Sequence, residues 1–364
     1  MIPISVCIIA KNEEKHIGEC LRRLSGHHWE LVVTDTGSTD RTVEIAKKYT
    51  PHVFHFDWIN DFSAAKNFCV SKASNDYILV TDCDEYLEKD GSDGTAIPHL
   101  HQQVAPWQIG MVDLVSPVED VSDGRKLPGT SAALVHDRIA RFFHRQYTGF
   151  QGSIHEQLIS KNGKKPEFVS LPLTFYHAGY STAAVRKEKA ARNIAMLEAL
   201  RKENGSDPYI LFQLGQTYFG LADYERALPY FNQALTMEVN EKEEYVQTMV
   251  ESYGYCLLNL KMYQKALELE GIYDIFSKNA DFVFLMGLIY MNNALFPQAI
   301  REFQKATVLP AFSVEGVNSY KARYNIGVIH ECMGNIPEAL AYYEECGAYG
   351  PAMERRKELA VRRS

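Results

Sequence analysis

Asp82 and Asp84 close the stretch Ile78-Leu79-Val80-Thr81-Asp82-Cys83-Asp84-Glu85, where an apolar run meets two carboxylates spaced two apart. An apolar run bounded by polar residues reads as a buried strand. Residues two apart on a strand share a side, so the two aspartates are expected side by side with Cys83 turned away. Carboxylates that close repel unless a cation lies between them. A hard divalent ion held by one or two carboxylates and by substrate phosphates suits such a pair. The alternative is a solvated acidic turn. Its place at the C-terminal end of a buried strand, where open α/β sheets bind ligands, favours a site. A second chemical stretch is Gly149-Phe150-Gln151-Gly152-Ser153-Ile154-His155-Glu156-Gln157-Leu158. Its glycines let a backbone approach a ligand closely. His155 and Glu156 are neighbours that can accept a proton or bind a metal, or form a surface pair on an edge strand. His99 and His101 are weaker metal candidates in a Gly-, Pro-, Ser- and His-rich stretch, 91–106, that reads as exposed and irregular.

These groups need a frame. Ile4 to Ala10 reads as a buried strand, and Lys11-Asn12-Glu13-Glu14 opens a helix to about Leu24, with its acidic residues suited to the helix dipole. Leu31 to Val33 is a second strand that runs into Asp35-Thr36-Gly37-Ser38-Thr39-Asp40, and Thr39 or Asp40 can cap a helix over Arg41 to Tyr49. Val53 to Phe56 is a third strand, and Asp61 to Asn67 begins the next helix before the aspartate strand. Alternating strands and helices predict a parallel sheet covered on both faces. Asp35 and Asp82-Asp84 then share one sheet edge, where an acidic residue after the second strand commonly bonds a ribose or base. The glycine fingerprints of dinucleotide and P-loop sites are absent. Strands are further predicted over Gly110 to Val118, Arg138 to Phe143 and Leu173 to Ala178, with a turn at Ser122-Asp123-Gly124 and His177 near the last strand end.

With 364 residues, 46% hydrophobic and 23% charged, the chain has room for two folded domains. A net charge of −8 speaks against a nucleic-acid partner. No apolar run has the length of a transmembrane helix, and Val6 to Ala10 is too short for a signal peptide. Seven scattered cysteines without a C-x-x-C pair suggest reduced thiols and a cytoplasmic protein.

Four stretches, Val6-Cys7-Ile8-Ile9-Ala10-Lys11-Asn12-Glu13-Glu14, Asp35 to Asp40, Phe62-Ser63-Ala64-Ala65-Lys66-Asn67 and Asp82-Cys83-Asp84-Glu85, together resemble family 2 glycosyltransferases. These are inverting enzymes of GT-A fold that use nucleotide-activated sugars. The resemblance covers about the first 180 residues. It implies a Rossmann-like, mostly parallel α/β domain over 1–180. It places the nucleoside at the first strand end, Ala10, Asn12 and Glu14, and at Asp35. It places Mn²⁺ or Mg²⁺ and the diphosphate at Asp82 and Asp84, with Glu85 orienting Asp84 or the sugar. Lys66 stands near the diphosphate where the family often has Arg, leaving a point charge in place of a bidentate grip. Glu156 fills the place of the general base, with His155 as its rival, and His177 that of a further metal ligand. A UDP-hexose or UDP-N-acetylhexosamine donor is expected.

Beyond Ser181 the chain turns helical. A linker helix is expected over 181–207, ended by Asn204-Gly205-Ser206-Asp207-Pro208. Then a pattern recurs: Leu214-Gly215 with Ala227 and Phe231, Tyr253-Gly254 with Ala266, Met286-Gly287 with Ala299 and Phe303, Ile326-Gly327 with Ala339 and Tyr343. It resembles the tetratricopeptide repeat, whose helix pairs stack into a solenoid over 208–364. The repeated apolar residues read as core. The groove of such a solenoid can hold a peptide or a second copy of the chain in a homodimer. Residues 354–364 read as a charged, frayed final helix. A transferase domain joined to such repeats resembles bacterial enzymes that glycosylate peptides or proteins. That implies a peptide or protein acceptor bound through the repeats. The alternatives are a transferase of cell-surface polysaccharide or lipid-linked glycan, and a non-catalytic repeat scaffold.

Overall fold

The structure is a computed structural model that describes residues 3–88, 99–118, 133–178, 183–205 and 207–361. Two compact units emerge. One holds the described residues up to 117 and from 135 to 178, the other those from 183 onward together with 118, 133 and 134.

The first unit is built on one sheet. Strands β1 (Ile4–Ala10), β2 (Glu30–Asp35), β3 (Val53–His55) and β4 (Tyr77–Val80) alternate with helices α1 (Ile17–Ser25), α2 (Thr42–Ala46) and α3 (Phe62–Lys72). There follow β5 (Glu85–Leu87), α4 (Leu100–Gln103), β6 (Gln108–Val118), β7 (Ala133–His144), β8 (Thr148–Gln151), β9 (Gln157–Ser160) and β10 (Glu167–His177). The main sheet runs β3-β2-β1-β4-β7-β6-β10-β5, and β8 with β9 forms a separate hairpin. β1 pairs in parallel with β2 and β4, and β10 in parallel with β6, while β7 against β4 and β5 against β10 are antiparallel. The sheet is mostly parallel and buried on both faces. Ile4, Val6, Ile8 and Leu79 pack with Ile17, Leu21 and Leu24 of α1. Cys7, Ile78 and Val80 pack with Cys69 and Val70 of α3 and with Leu158 of the hairpin.

Three local expectations differ from what forms. The helix after β1 starts at Ile17, not at Lys11, because Asn12 takes a left-handed φ of 56°. The N–H groups of Glu13 and Glu14 donate instead to Thr42 Oγ1 (2.7 Å) and Asp40 Oδ2 (3.1 Å). Strand β4 ends at Val80, so Asp82 and Asp84 sit in a turn closed by Glu85 N–H donating to the Asp82 carbonyl (3.1 Å). Strand alternation therefore does not set their directions. Residues 100–103 form the short α4, where irregular chain was expected. The predicted turn at 122–124 lies outside the described residues.

The second unit is helical. α5 (Ala183–Asn204) precedes the pairs α6 (Pro208–Gly220) with α7 (Tyr224–Leu235), α11 (Ala280–Asn292) with α12 (Phe296–Ala306), and α13 (Tyr320–Cys332) with α14 (Ile336–Glu345). Between them α8 (Glu244–Asn259) faces a broken partner: α9 (Tyr263–Ala266), a 3-10 stretch over Leu267–Ile272, and α10 (Tyr273–Phe276). Gly271 weakens a continuous helix there. Helix α5 is more than a linker. Leu197 is buried, and the Tyr230 hydroxyl donates to Glu198 across the α5–α7 contact (2.9 Å). The recurring glycines mark close helix crossings. A Cβ on Gly215, Gly287 or Gly327 would stand 2.5–2.6 Å from the ring of Phe231, Phe303 or Tyr343. The final helix α15 (Gly350–Val361) is packed, not frayed: Ala352 and Leu359 are buried, and Arg355 pairs with Glu331.

Candidate active site

The candidate residues gather at the C-terminal edge of β1, β2 and β4. Asp35 ends β2, and its buried carboxylate accepts the N–H groups of Gly37 (3.2 Å) and Ser38 (3.1 Å). His55, its register partner on β3, brings Nδ1 to 3.4 Å of it. The Ala10 carbonyl accepts from Thr36 N–H (2.9 Å). Asn12 Oδ1 accepts Thr39 N–H (2.8 Å), and the Glu14 carboxylate faces Arg41 (3.4 Å). Asn12 and Glu14 thus brace the 36–41 turn.

Helix α3 organises the rest. Asp61 caps it, accepting from Ala64 N–H (2.8 Å). Nearly two turns in, the Asn67 amide clamps β8: its Nδ2 donates to the Phe150 carbonyl (2.9 Å) and its Oδ1 accepts Phe150 N–H (3.0 Å). Phe62 N–H donates to the Ser153 carbonyl (2.8 Å). Gly149 sits against Asn67 and Lys161. These bonds bring the turn after β8 onto Lys66. Its Nζ lies 2.6 Å from Glu156 Oε1 and 3.7 Å from Asp82 Oδ1.

A residue not singled out from sequence completes the line. Arg141 stands on β7 beside Phe142, which pairs with Leu79 of β4. Its guanidinium reaches Asp82 Oδ2 (3.2 Å) and Glu85 Oε1 (2.5 Å). Glu85 is inside the protein, and its carboxylate also accepts Asp82 N–H (3.1 Å) and the Thr81 hydroxyl (3.2 Å). It thus orients the Asp82 turn, where Asp84 or a sugar was expected. Burial works against charge on Asp82, but Lys66 and Arg141 outweigh it and hold that carboxyl well below the usual carboxylate range. Burial pushes Glu85 up, with Arg141 offsetting only part. Burial also opposes the Arg141 charge, but Glu85 and Asp82 outweigh it and raise its pKa.

Asp84 points elsewhere. Its Oδ2 lies 3.3 Å from His177 Nε2. Register explains the meeting, since His177 pairs with Glu85 across β10 and β5, and Ala178 N–H donates to the Asp84 carbonyl (2.7 Å). Two neighbouring ligands of an octahedral ion at ~2.1 Å stand ~3.0 Å apart. A carboxylate oxygen and an imidazole nitrogen at this spacing fit two such positions. Among the described residues no three His, Cys, Asp or Glu side chains converge on one point.

His155 has a left-handed φ of 51°, and its buried Nε2 has no hydrogen-bond partner among the described residues. Burial lowers its pKa. His101 packs near Tyr77, the first residue of β4, at the end opposite Asp82.

Residues 5–105 match the model of glycosyl transferase family 2, and residues 208–238 that of a tetratricopeptide repeat. The chain is 28% identical over 254 residues to the SPbeta prophage-derived glycosyltransferase SunS of Bacillus subtilis, a match covering 68% of this chain and 57% of that protein. It is 28% identical over 245 residues to a TPR repeat-containing protein of Synechococcus elongatus, covering 65% and 57%. A lipopolysaccharide core biosynthesis glycosyltransferase, LpsC of Rhizobium meliloti, is 32% identical over 92 residues, covering 24% and 34%. The chain thus spans little more than half the length of the first two relatives. The sheet unit is thus similar to family 2 glycosyl transferases over residues 5–105, and the helical unit to a tetratricopeptide repeat over residues 208–238.

Proposed function

We propose that the chain is an inverting glycosyltransferase that moves a sugar from a nucleotide donor, a UDP-hexose or UDP-N-acetylhexosamine, to a peptide or protein. The observation that carries the reading is the unbroken line Glu156–Lys66–Asp82–Arg141–Glu85 at the edge of the sheet. It sets a carboxylate able to take a proton beside a cation able to meet a departing phosphate. The acceptor oxygen or sulfur attacks the anomeric carbon while the bond from that carbon to the diphosphate oxygen breaks. Glu156 takes the acceptor proton, and Lys66 meets the charge that develops on the leaving group. A single displacement inverts the anomeric centre, by the same logic as in glycoside hydrolysis. Asp84 and His177 would hold Mn²⁺ or Mg²⁺, which when bound supplies positive charge to the diphosphate. Asp82, fixed by Lys66 and Arg141, faces the donor from the same turn. The helical repeats supply a surface suited to a polypeptide acceptor.

Calorimetric titration with UDP and with GDP, each with and without Mn²⁺, tests the reading. UDP binding that needs Mn²⁺, with GDP silent, is the expected outcome. Binding of neither would sink the donor assignment. A glycan acceptor of the lipopolysaccharide type is the second reading, favoured by the match to LpsC. Transfer from donor to lipid-linked sugar but not to peptide would select it.

A further inference from the structure

The Lys66 ammonium is claimed from three sides. Glu156 Oε1 lies 2.6 Å away, Asp82 Oδ1 3.7 Å and the Phe150 ring centroid 5.4 Å. Only 6% of the Lys66 side chain is exposed, so these groups stand in for its water. The shortest contact is to the carboxylate that the proposed reaction needs as base. While the ammonium sits on Glu156 Oε1, that oxygen is occupied by its N–H and is not open to an acceptor proton. In the proposed reaction the donor diphosphate needs the same ammonium.

We infer that Lys66 is a positioning residue that holds Glu156 in the donor-free protein and yields it when a nucleoside diphosphate arrives. The base is then released only once the donor is seated, so acceptor deprotonation follows donor binding. Phosphate oxygens carry more charge than one carboxylate, and the move is short. Asp82, already 3.7 Å from the ammonium, is a second carboxylate for it to lean on once it leaves Glu156. The Asn67 clamp holds the Glu156 turn in place meanwhile. This inference rests on the glycosyltransferase reading and adds an order of events to it.

The test is UDP affinity, with Mn²⁺ present, for the full chain and for Glu156→Gln, Lys66→Gln and the double variant. Glu156→Gln leaves the ammonium in place but removes its competitor. UDP should bind about fivefold tighter, which is about 1 kcal/mol at 1.4 kcal/mol per tenfold. Glu156→Ala should act in the same direction. Lys66→Gln should bind more weakly, and adding Glu156→Gln to it should restore nothing. Unchanged or weaker binding by Glu156→Gln would overturn the inference, since the pair would then be a static support for Lys66. An equal gain in the Lys66→Gln background would also overturn it, because simple repulsion between Glu156 and the diphosphate would explain that. If the unaltered protein binds neither UDP nor GDP, the donor reading itself has failed, and this inference falls with it.

Discussion

Replacing Arg141 by Met should unfold the sheet unit far more readily, and the structure gives the size of the effect. The guanidinium bonds two carboxylates of different standing. Asp82 is 41% exposed, and its share of the pairing is heavily screened by water. Glu85 is 5% exposed and depends on Arg141 for its counter-charge. Removing one partner of a buried pair costs ~3–5 kcal/mol, because the other charge is stranded. For a domain of this size each kcal/mol moves the midpoint by ~2–4 °C, so a fall of about 10 °C is expected. Removing both charges, as in Arg141→Met with Glu85→Gln, should recover about 2 kcal/mol, since a neutral pair leaves no stranded charge. Tryptophan fluorescence reports this unit selectively, because the three tryptophans, Trp29, Trp58 and Trp107, all lie in it. Urea titrations of the two variants give the comparison. A loss below ~1 kcal/mol for Arg141→Met, or a double variant no more stable than the single one, would refute the stranded-charge argument.

Gly287→Val should cost at least ~2 kcal/mol through overlap with Phe303, while Gly220→Ala, where a Cβ meets nothing within 4 Å, should be neutral. Helical circular dichroism reads this, with tryptophan fluorescence unmoved. Glu251 on α8 is pushed up to about 8 by burial and by the Asp281 charge, against a bond from Gln247. Between its unfolded value of ~4.3 and that value, the folded state keeps a proton that the unfolded state has lost. Its contribution to stability is therefore fully present below pH ~4.3 and is lost as pH rises toward 8. Glu251→Gln should flatten that slope and raise the helical midpoint at pH 8.5 relative to pH 5.5. Asp281, raised by burial too, keeps a residual slope, and an unchanged profile would remove Glu251 from the account. Asp84→Ala and His177→Ala should each reduce the Mn²⁺-dependent part of UDP affinity about tenfold, roughly 1.4 kcal/mol. Equal affinity with and without the ion in the unaltered protein would reject both as ligands.

What could be read from the chain was the edge of the sheet, because strand ends announce themselves where apolar runs stop. Ala10, Asp35 and Asp82 lie at that edge for this reason. Register across distant strands could not be read, and it is register that makes the site. His177 meets Asp84 because β10 pairs with β5. Arg141 meets Asp82 because β7 enters the sheet antiparallel beside β4. In an alternating strand an arginine between Ala140 and Phe142 reads as the solvent face, so its burial left no local mark. The turn at Asp82 misled strand logic for a related reason: Glu85, three residues on, folds back and takes the Asp82 N–H. The helical repeats were legible because close helix crossings demand glycine at the corresponding point of successive helix pairs, as at Gly215, Gly287 and Gly327.

The charge of the cluster bears on the proposed divalent ion. Lys66 and Arg141 face the carboxylates of Asp82, Glu85 and Glu156, and Asp84 stands next to them on the same turn. Two cations against four carboxylates leave the cluster at −2. A nucleoside diphosphate brings further negative charge to this edge. At the effective dielectric of a partly buried site, two like charges 4 Å apart repel by ~4 kcal/mol. Lys66 alone cannot offset that while Glu156 holds it. An ion of charge +2 at Asp84 and His177 would bring that count to zero without disturbing either ion pair of Asp82. The same count predicts that Asp84→Asn should strengthen metal-free UDP binding even as it weakens the Mn²⁺-dependent mode. If Asp84→Asn lowers both, Asp84 contacts the donor directly and the electrostatic argument for the ion fails.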